Sequence, residues 1–171
     1  MPNYCSNNLT IRADKATIDR LEAAFAEGKF LAALRPEPDY EEVEVFPTFP
    51  EIAGTAPVNK THAWWDWRVQ NWGAKWDVGG EDDHMDRVSD TELYLSFDSA
   101  WSPPVAALQS RDDIQYVLHY CETGCGFCGT ASGDSDGHTD ETYTIEEAPP
   151  HLVAEFALDE WREFISEDEE E

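Results

Sequence analysis

Basic residues are scarce in this sequence of 171 residues, which has 11 Lys and Arg against 37 Asp and Glu and a formal net charge of −26. A chain with so few cations is repelled by nucleic acids and by anionic lipids, so we do not expect it to bind DNA, RNA or a membrane directly. Long hydrophobic runs are also missing, and none approaches the roughly 20 apolar residues that a membrane-spanning helix needs. The first residues lack the basic start and the apolar segment of a signal peptide, which predicts a cytoplasmic protein.

Cysteine is infrequent as well, with four residues in the chain. In the cytoplasm these thiols are expected to be reduced or to bind a metal, because disulfides are rare in that compartment. The chain nevertheless has 41% hydrophobic and 12% aromatic residues, enough to bury the core of one domain. We therefore predict a single domain over residues 1–166, with an insertion at about 35–91 and an acidic tail at 167–171.

The negative charge is unevenly distributed along the chain. Residues 1–75 contain 8 basic and 11 acidic side chains, whereas residues 76–171 contain 3 basic and 26 acidic ones. The alternative explanations are that the acidic residues keep the protein soluble or adapt it to high salt. Adaptation to salt, however, would make the whole surface acidic. The asymmetry favours one acidic face formed by the second part of the chain.

The hydrophobic pattern predicts an α+β protein, with strands where apolar residues alternate and helices where they recur every three or four positions. Strands are predicted at 7–12, 75–78, 92–98 and 114–120, with weaker candidates at 42–46, 126–131 and 141–145. Helices are predicted after Asp14, over 59–70, after Pro104 and after Pro150, and polar loops at 79–90 and 132–140. The order strand, helix, strand, strand, helix, strand is that of a ferredoxin-like, or split βαβ, sheet. A Trp-rich insertion and a C-terminal amphipathic helix are added to it.

Four stretches of the sequence, taken together, resemble one family. They are Met1-Pro2-Asn3-Tyr4-Cys5-Ser6-Asn7, Asn71-Trp72-Gly73-Ala74-Lys75-Trp76-Asp77, Phe97 through Ala100-Trp101-Ser102-Pro103-Pro104, and Tyr120-x-Glu122-x-Gly124-x-x-Phe127-x-Gly129. In these stretches the chain resembles the YubB-like ferredoxin-like domain family of phages and plasmids, with Tyr4 in place of Trp and Ala74 in place of Thr. The resemblance implies a ferredoxin-like fold and an accessory protein of a mobile element, and it implies no known reaction.

Three cysteines form the pattern C-x3-C-x2-C, which radical enzymes use to bind an iron–sulfur cluster. Those enzymes place the cluster loop early in a long parallel barrel, whereas only a short stretch without strand–helix units follows Cys128. Zinc is the better metal alternative, with ligands from Cys121, Cys125 and Cys128 and a fourth from Cys5, His119 or His138. The favoured interpretation is buried thiols on a strand and turn, with no cofactor.

Aromatic and polar residues in the middle of the chain are candidates for lining a small-ligand pocket. They are Trp72, Lys75, Trp76, Asp77, Trp101 and Glu122. Tryptophan more often fills a core, so the favoured prediction is that Trp72, Trp76 and Trp101 are largely buried and support folding.

The sequence favours a protein that is not an enzyme. It has no nucleophile elbow and no phosphate loop before a helix, and His119 and Glu122 fall on opposite faces of their predicted strand. The best-supported hypothesis is a protein that acts in the host cytoplasm and inhibits a host defence or DNA-handling protein with a basic, nucleic-acid-binding surface. It would do so through an acidic face that imitates DNA. The residues proposed for that face are Glu81, Asp82, Asp83, Asp86, Asp134, Asp136, Asp140 and Glu141. The alternatives are a protein that binds a nucleotide-like ligand in the aromatic pocket, and a zinc-binding module on the cysteines.

Overall fold

A computed structural model describes residues 3–40, 63–161 and 163. The strand predicted at 42–46 and the acidic tail predicted at 167–171 lie outside these residues. Within them, no helix combines the length and the apolar character that are needed to cross a membrane.

Six antiparallel strands form one sheet. They are Tyr4–Arg12 (β1), His84–Ser89 (β2), Glu92–Ala100 (β3), Gln115–Glu122 (β4), Phe127–Asp134 (β5) and Gly137–Thr144 (β6). Their order across the sheet is β2-β3-β1-β4-β5-β6, so β2 and β6 are its two edges. The first four strands have the ferredoxin-like arrangement predicted from the sequence, and the β5–β6 hairpin extends it by two strands.

The helices of the described residues are Lys15–Ala26 (α1), Phe30–Leu34 (α2), Ala63–Trp72 (α3), Val105–Gln109 (α4) and Pro150–Glu155 (α5). Before α1, the side chain of Asp14 accepts a hydrogen bond from the backbone N–H of Thr17 at 2.8 Å, which is the contact of an N-cap. After α1, Gly28 takes a φ of +69°, a conformation that glycine adopts at little cost and that commonly ends a helix. The helix predicted after Asp14 and its end at Gly28 are therefore confirmed.

The main core lies between one face of the sheet and α1 to α4. Leu9 of the central strand is paired with Leu95 on one side and Leu118 on the other, and all three are fully buried. Phe25 and Phe30, at the end of α1 and the start of α2, pack edge to face with ring centroids 5.6 Å apart. A smaller core covers part of the other face, where residues in and around α5 pack on β4 and β5.

The second strand is not where the sequence predicts it. Residues 75–78 form no strand, and the acidic loop predicted at 79–90 contains β2. Most β2 residues are exposed because the strand is an edge of the sheet, so it lacks the apolar alternation that marks a half-buried strand. The prediction of a loop at 132–140 is also wrong. Most of these residues belong to the end of β5 and to β6, and β6 is again an exposed edge strand.

The predicted C-terminal amphipathic helix is interrupted at residues 156–157, and residues 158–161 are helical again. α5 ends at Glu155, and Ala157 takes a φ of +51°, which interrupts a right-handed helix. Leu152 before the interruption and Leu158 after it are both buried in the smaller core. The bend therefore lets both segments pack on the sheet.

Candidate functional site

The stretches that carry the family resemblance meet in one region of the fold. The backbone carbonyl of Asn3 accepts a hydrogen bond from the N–H of Trp101 at 2.9 Å. The side-chain amide of Asn3 lies 3.2 Å from Sγ of Cys125, to which it donates. The backbone N–H of Lys75 donates to the carbonyl of Ala100 at 3.5 Å. We call this region the junction, and it comprises Asn3 and residues 71–77, 100–102 and 122–125.

At the junction, the ammonium group of Lys75 lies against three indole rings. Its Nζ is 5.0 Å from the ring centroid of Trp65, 5.0 Å from that of Trp76 and 4.8 Å from that of Trp101. A cation within about 6 Å of an aromatic ring is attracted by the negative ring face. Trp65 and Trp101 also contact each other edge to face at 5.5 Å. The chain's own lysine therefore occupies the place that an external cation would take in an aromatic cage.

Tryptophan burial differs sharply within the predicted pocket. Trp72 is fully buried in the main core, as predicted, and its indole N–H donates to the carbonyl of Arg35 at 2.8 Å. Trp101 is half-buried beside Lys75. Trp76 is 38% exposed, so the prediction that it is buried is wrong. Ala74 and Val78 make the buried contacts of this segment, which leaves Trp76 at the surface against Lys75.

The two carboxylates predicted for the pocket bind backbone N–H groups instead. Asp77 accepts hydrogen bonds from Leu31 at 2.6 Å and Ala32 at 3.1 Å, at the start of α2. Burial raises the pKa of Asp77, although these hydrogen bonds act in the opposite direction. Glu122 is 2% exposed and accepts from the backbone N–H of Cys125 at 2.5 Å, which closes the turn between β4 and β5. The six predicted residues therefore do not form one pocket.

The cysteines proposed as zinc ligands lie in different environments. Cys121 and Cys128 are paired across β4 and β5 and buried in the smaller core, whereas Cys125 is exposed in the turn. Cys5 belongs to the main core, on the other face of the sheet. Burial, and then the neighbouring Cys128, raise the pKa of Cys121 to about 12, so this thiol is protonated at neutral pH. Among the described residues, no group of three His, Cys, Asp or Glu side chains is placed to hold a metal ion.

The two histidines proposed as a fourth zinc ligand have other neighbours. Nδ1 of His119 lies 2.5 Å from a carboxylate oxygen of Glu155 in α5. His138 stacks on the ring of Tyr116 with centroids 5.9 Å apart. These contacts tie β4 to α5 and β6 to β4, respectively.

The eight acidic residues predicted for one face lie at opposite edges of the sheet. Glu81, Asp82, Asp83 and Asp86 belong to β2 and the turn before it, and Asp134, Asp136, Asp140 and Glu141 belong to the β5–β6 hairpin. Five strand spacings of about 4.8 Å separate the two edges. The structure therefore forms two acidic surfaces, which we call the β2 edge and the β6 edge, in place of one face.

The two edges differ in the cations that lie near them. Arg87 lies within β2, but its ion pairs are with Asp19 at 2.9 Å, with Glu22 and with Asp90 at 3.7 Å, and none of the four acidic residues of the β2 edge is among these partners. At the β6 edge, no Lys or Arg of the described residues forms an ion pair with an acidic side chain of the β5–β6 hairpin. Residues 112–161 contain twelve Asp and Glu and no Lys or Arg, so a cation near this edge has to come from another part of the chain.

A buried tyrosine connects the β6 edge to the core, and the sequence analysis missed it. The hydroxyl of Tyr120 donates to Asp140 at 2.8 Å and lies 2.7 Å from the hydroxyl of Thr142. Its ring crosses Gly129, where a Cβ atom would lie 2.3 Å from the tyrosine oxygen. The sequence feature that could have indicated this contact is the occurrence of Tyr120 and Gly129 in the fourth stretch. A glycine in a strand often marks a place where another group comes close to the backbone.

Comparisons with known proteins give a fold and a family. No curated protein matches the chain. The crystal structure of a protein api92 from Yersinia pseudotuberculosis is similar, with a TM-score of 0.51, 12% sequence identity, and coverage of 87% of this chain and 100% of that chain. At this identity the likeness shows the fold alone. The family model described as a ferredoxin-like domain in Api92-like protein matches residues 72–157, which contain β2 to β6 and half of the sequence. The chain therefore belongs to the family of ferredoxin-like domains in Api92-like proteins.

Proposed function

We propose that the protein is a non-catalytic accessory protein of a phage or plasmid that binds and inhibits a host protein. The partner is a defence or DNA-handling factor that presents a basic, nucleic-acid-binding surface. The mobile-element origin follows from the YubB-like resemblance, and the nature of the partner follows from charge. The observation that carries the proposal is the β6 edge, whose carboxylates have no Lys or Arg counter-ion among the described residues.

Uncompensated charge at an exposed edge acts on molecules outside the protein. Ion pairs within a molecule cancel much of the field of their members, whereas unpaired carboxylates attract a basic partner over a distance and speed its association. Duplex DNA carries one charge per about 1.7 Å of its axis, and closely spaced carboxylates imitate that density. The proposal therefore includes competition between this protein and DNA for the same surface of the partner.

The contacts at the junction favour this function over the two alternatives. Lys75 fills the aromatic cluster in which a nucleotide-like ligand would have to stack. Asp77 and Glu122 are engaged with backbone N–H groups. A zinc module would need Cys121 and Cys125 to converge, and one is buried under α5 while the other is exposed.

Two matched triple variants test the proposal. The first is Asp136→Asn, Asp140→Asn and Glu141→Gln at the β6 edge, and the second is Glu81→Gln, Asp82→Asn and Asp86→Asn at the β2 edge. All six side chains are exposed, and each variant loses three charges. A basic DNA-binding host protein recovered by pull-down is the partner, and association rates are measured at low and high salt with and without duplex DNA.

The β6-edge variant should associate about tenfold more slowly at low salt, the β2-edge variant should change less, and salt should reduce the difference. Duplex DNA should displace the parent protein from the partner. The proposal fails if the partner binds DNA and the protein together without hindrance. It also fails if association is indifferent to both variants and to salt.

A further inference from the structure

The outer edge of β6 exposes backbone hydrogen-bonding groups. The N–H of Ile145 donates to the carbonyl of Gly126 at 3.1 Å, which identifies these two residues as a hydrogen-bonded pair. Such pairs alternate along antiparallel strands, and the β5–β6 register runs without a shift. The alternation turns the N–H and C=O groups of His138, Asp140 and Thr142 away from β5. Among the described strands, only β5 pairs with β6.

β6 has few of the features by which proteins protect a sheet edge, whereas β2 has two of them. Short strands, bulges, Pro and Lys all discourage pairing with another chain. β2 has six residues, and its register shifts between Arg87 and Ser89. β6 has eight residues in continuous register and contains no Pro, Lys or Arg. The acidic side chains of β6 are therefore the main feature that limits which strands can pair with it, and they favour a basic strand.

A groove lies beside β6 on the helix side of the sheet. It has a volume of about 370 Å³, and α4 forms one wall of it. Val105, Ala106 and Phe127 contribute apolar surface, and Asp140 and Thr142 contribute polar groups. An apolar wall beside a carboxylate suits a Lys or Arg side chain, whose methylene groups can be buried while the charged end reaches the carboxylate.

We propose that the β6 edge binds an extended, basic segment of a partner protein as a seventh strand of the sheet. The backbone of the segment pairs with His138, Asp140 and Thr142. One Lys or Arg lies in the groove with its charged end at Asp140, and the next basic residue projects to the other face, opposite Glu141. The recognised feature is thus two consecutive basic residues within an extended segment. This inference rests on the proposed function and specifies the partner's binding segment.

Charge disfavours the other occupants of this edge. A second copy of β6 would bring Asp140 and Glu141 against the same carboxylates of its partner, and like charges on facing strands are destabilising. The chain's own residues 41–62 contain four Glu and one Lys, so they offer no charge complement either.

A pair of synthetic peptides tests strand pairing separately from charge attraction. The probe is an eight-residue peptide of alternating Thr and Val with Lys-Arg at its centre. Its twin has the same sequence but carries N-methyl groups on the alternate amides that face β6. The charge of the two peptides is identical, and only the first can donate backbone hydrogen bonds to the edge. We expect the N-methylated peptide to bind at least about tenfold more weakly. The amides of His138, Asp140 and Thr142 should become protected from hydrogen exchange only with the first peptide.

Two variants of one residue give the matching test on the protein. Thr142→Pro removes an outward N–H that the β5–β6 ladder does not use, and Pro is tolerated at such edge positions. Thr142→Ala removes the same hydroxyl but keeps the N–H. The Pro variant should lose peptide binding by about tenfold while the Ala variant stays within about twofold. The N-methylated peptide keeps the test valid if the Pro variant fails to fold.

One contrary outcome is that both peptides bind equally, with an affinity that falls with salt and without protection of the β6 amides. That result would overturn strand pairing, but it would agree with the recognition of basic partners by acidic residues in the proposed function. Binding of neither peptide would overturn the inference, and the pull-down assay then decides the proposed function independently. Protection of the β6 amides in the free protein, together with dimers in sedimentation experiments, would assign the edge to a second copy and overturn the basic occupant.

Discussion

Lys75 links aromatic residues from three segments of the chain through one positive charge. Each cation–π contact at an exposed site contributes about 0.5–1 kcal/mol, and Lys75 has three such contacts. The lysine therefore orders the surface side of the junction, although no carboxylate is paired with it there in the described residues. Its role is structural in a region that aromatic composition alone would assign to a ligand.

Replacement of Lys75 by Met tests this role, because Met has a similar length and no charge. We expect Lys75→Met to lower the free energy of unfolding by about 1 kcal/mol or more, measured by urea denaturation. Lys29→Met is the control, since Lys29 pairs with an exposed Glu27 and such surface pairs contribute little. Equal effects of the two substitutions would contradict the stabilising cage.

The contrast between Trp72 and Trp76 gives a second test at the level of single residues. Trp72→Ala should cost about 3–5 kcal/mol of stability, because it leaves a cavity in the main core. Trp76→Ala should cost about 1 kcal/mol or less, because it removes an exposed ring and one contact with Lys75. Urea denaturation of both variants measures the difference. A loss at Trp76 as large as that at Trp72 would show that Trp76 is buried after all.

At the scale of elements, the β4–β5 hairpin explains the fourth family stretch in structural terms. Glu122 binds the backbone of the turn, and Gly126 takes a φ of +75° that other residues adopt with strain. Gly129 leaves room for the ring of Tyr120. The stretch therefore specifies a hairpin, and its cysteines are incidental to that geometry.

Thiol labelling tests the environments of the cysteines in this hairpin. In the folded protein, only Cys125 should react with iodoacetamide, since the other three thiols are buried, and all four should react after unfolding. The hydrogen bond with Glu122 raises the pKa of Cys125 above its ordinary value of 9.0. Because the thiolate is the reactive form, labelling at pH 8 should be slower than that of free cysteine and should accelerate as the pH rises. Rapid labelling of Cys121 in the folded protein would contradict this arrangement.

Elements with one buried face could be predicted from the sequence, and the exposed ones could not. The patterns at β1, β3, β4 and α1 reflect burial, so their positions were predicted to within a few residues. The edge strand β2 and the first half of β6 have little apolar alternation and fall in predicted loops, whereas the second half of β6 falls in the weaker strand candidate at 141–145. The candidate site shows the same difference between buried and exposed residues. The burial of Trp72 was predicted, but the separation of the acidic residues was not, because it depends on which strands form the edges of the sheet.

For the whole molecule, the net charge of −26 sets the response to salt. Like charges repel one another more in the compact native state than in the expanded unfolded chain, and salt screens this repulsion. Raising NaCl from 0.01 to 0.5 M should therefore increase the melting temperature by a few degrees, measured by circular dichroism. The β6-edge triple variant should begin at a higher melting temperature and show a smaller increase. A melting temperature that falls with salt would instead indicate that ion pairs such as those of Arg87 dominate the electrostatic energy.

The central position of β1 has a consequence for biosynthesis. Leu9 is paired with Leu95 and Leu118, so both neighbours of the first strand are synthesised long after it. Until β3 and β4 have left the ribosome, β1 has two open edges and an apolar face without its partners. Contacts between distant parts of a chain slow folding and prolong the exposure of aggregation-prone strands. The nascent chain should therefore depend on chaperones that shield β1 until the middle of the sheet can close.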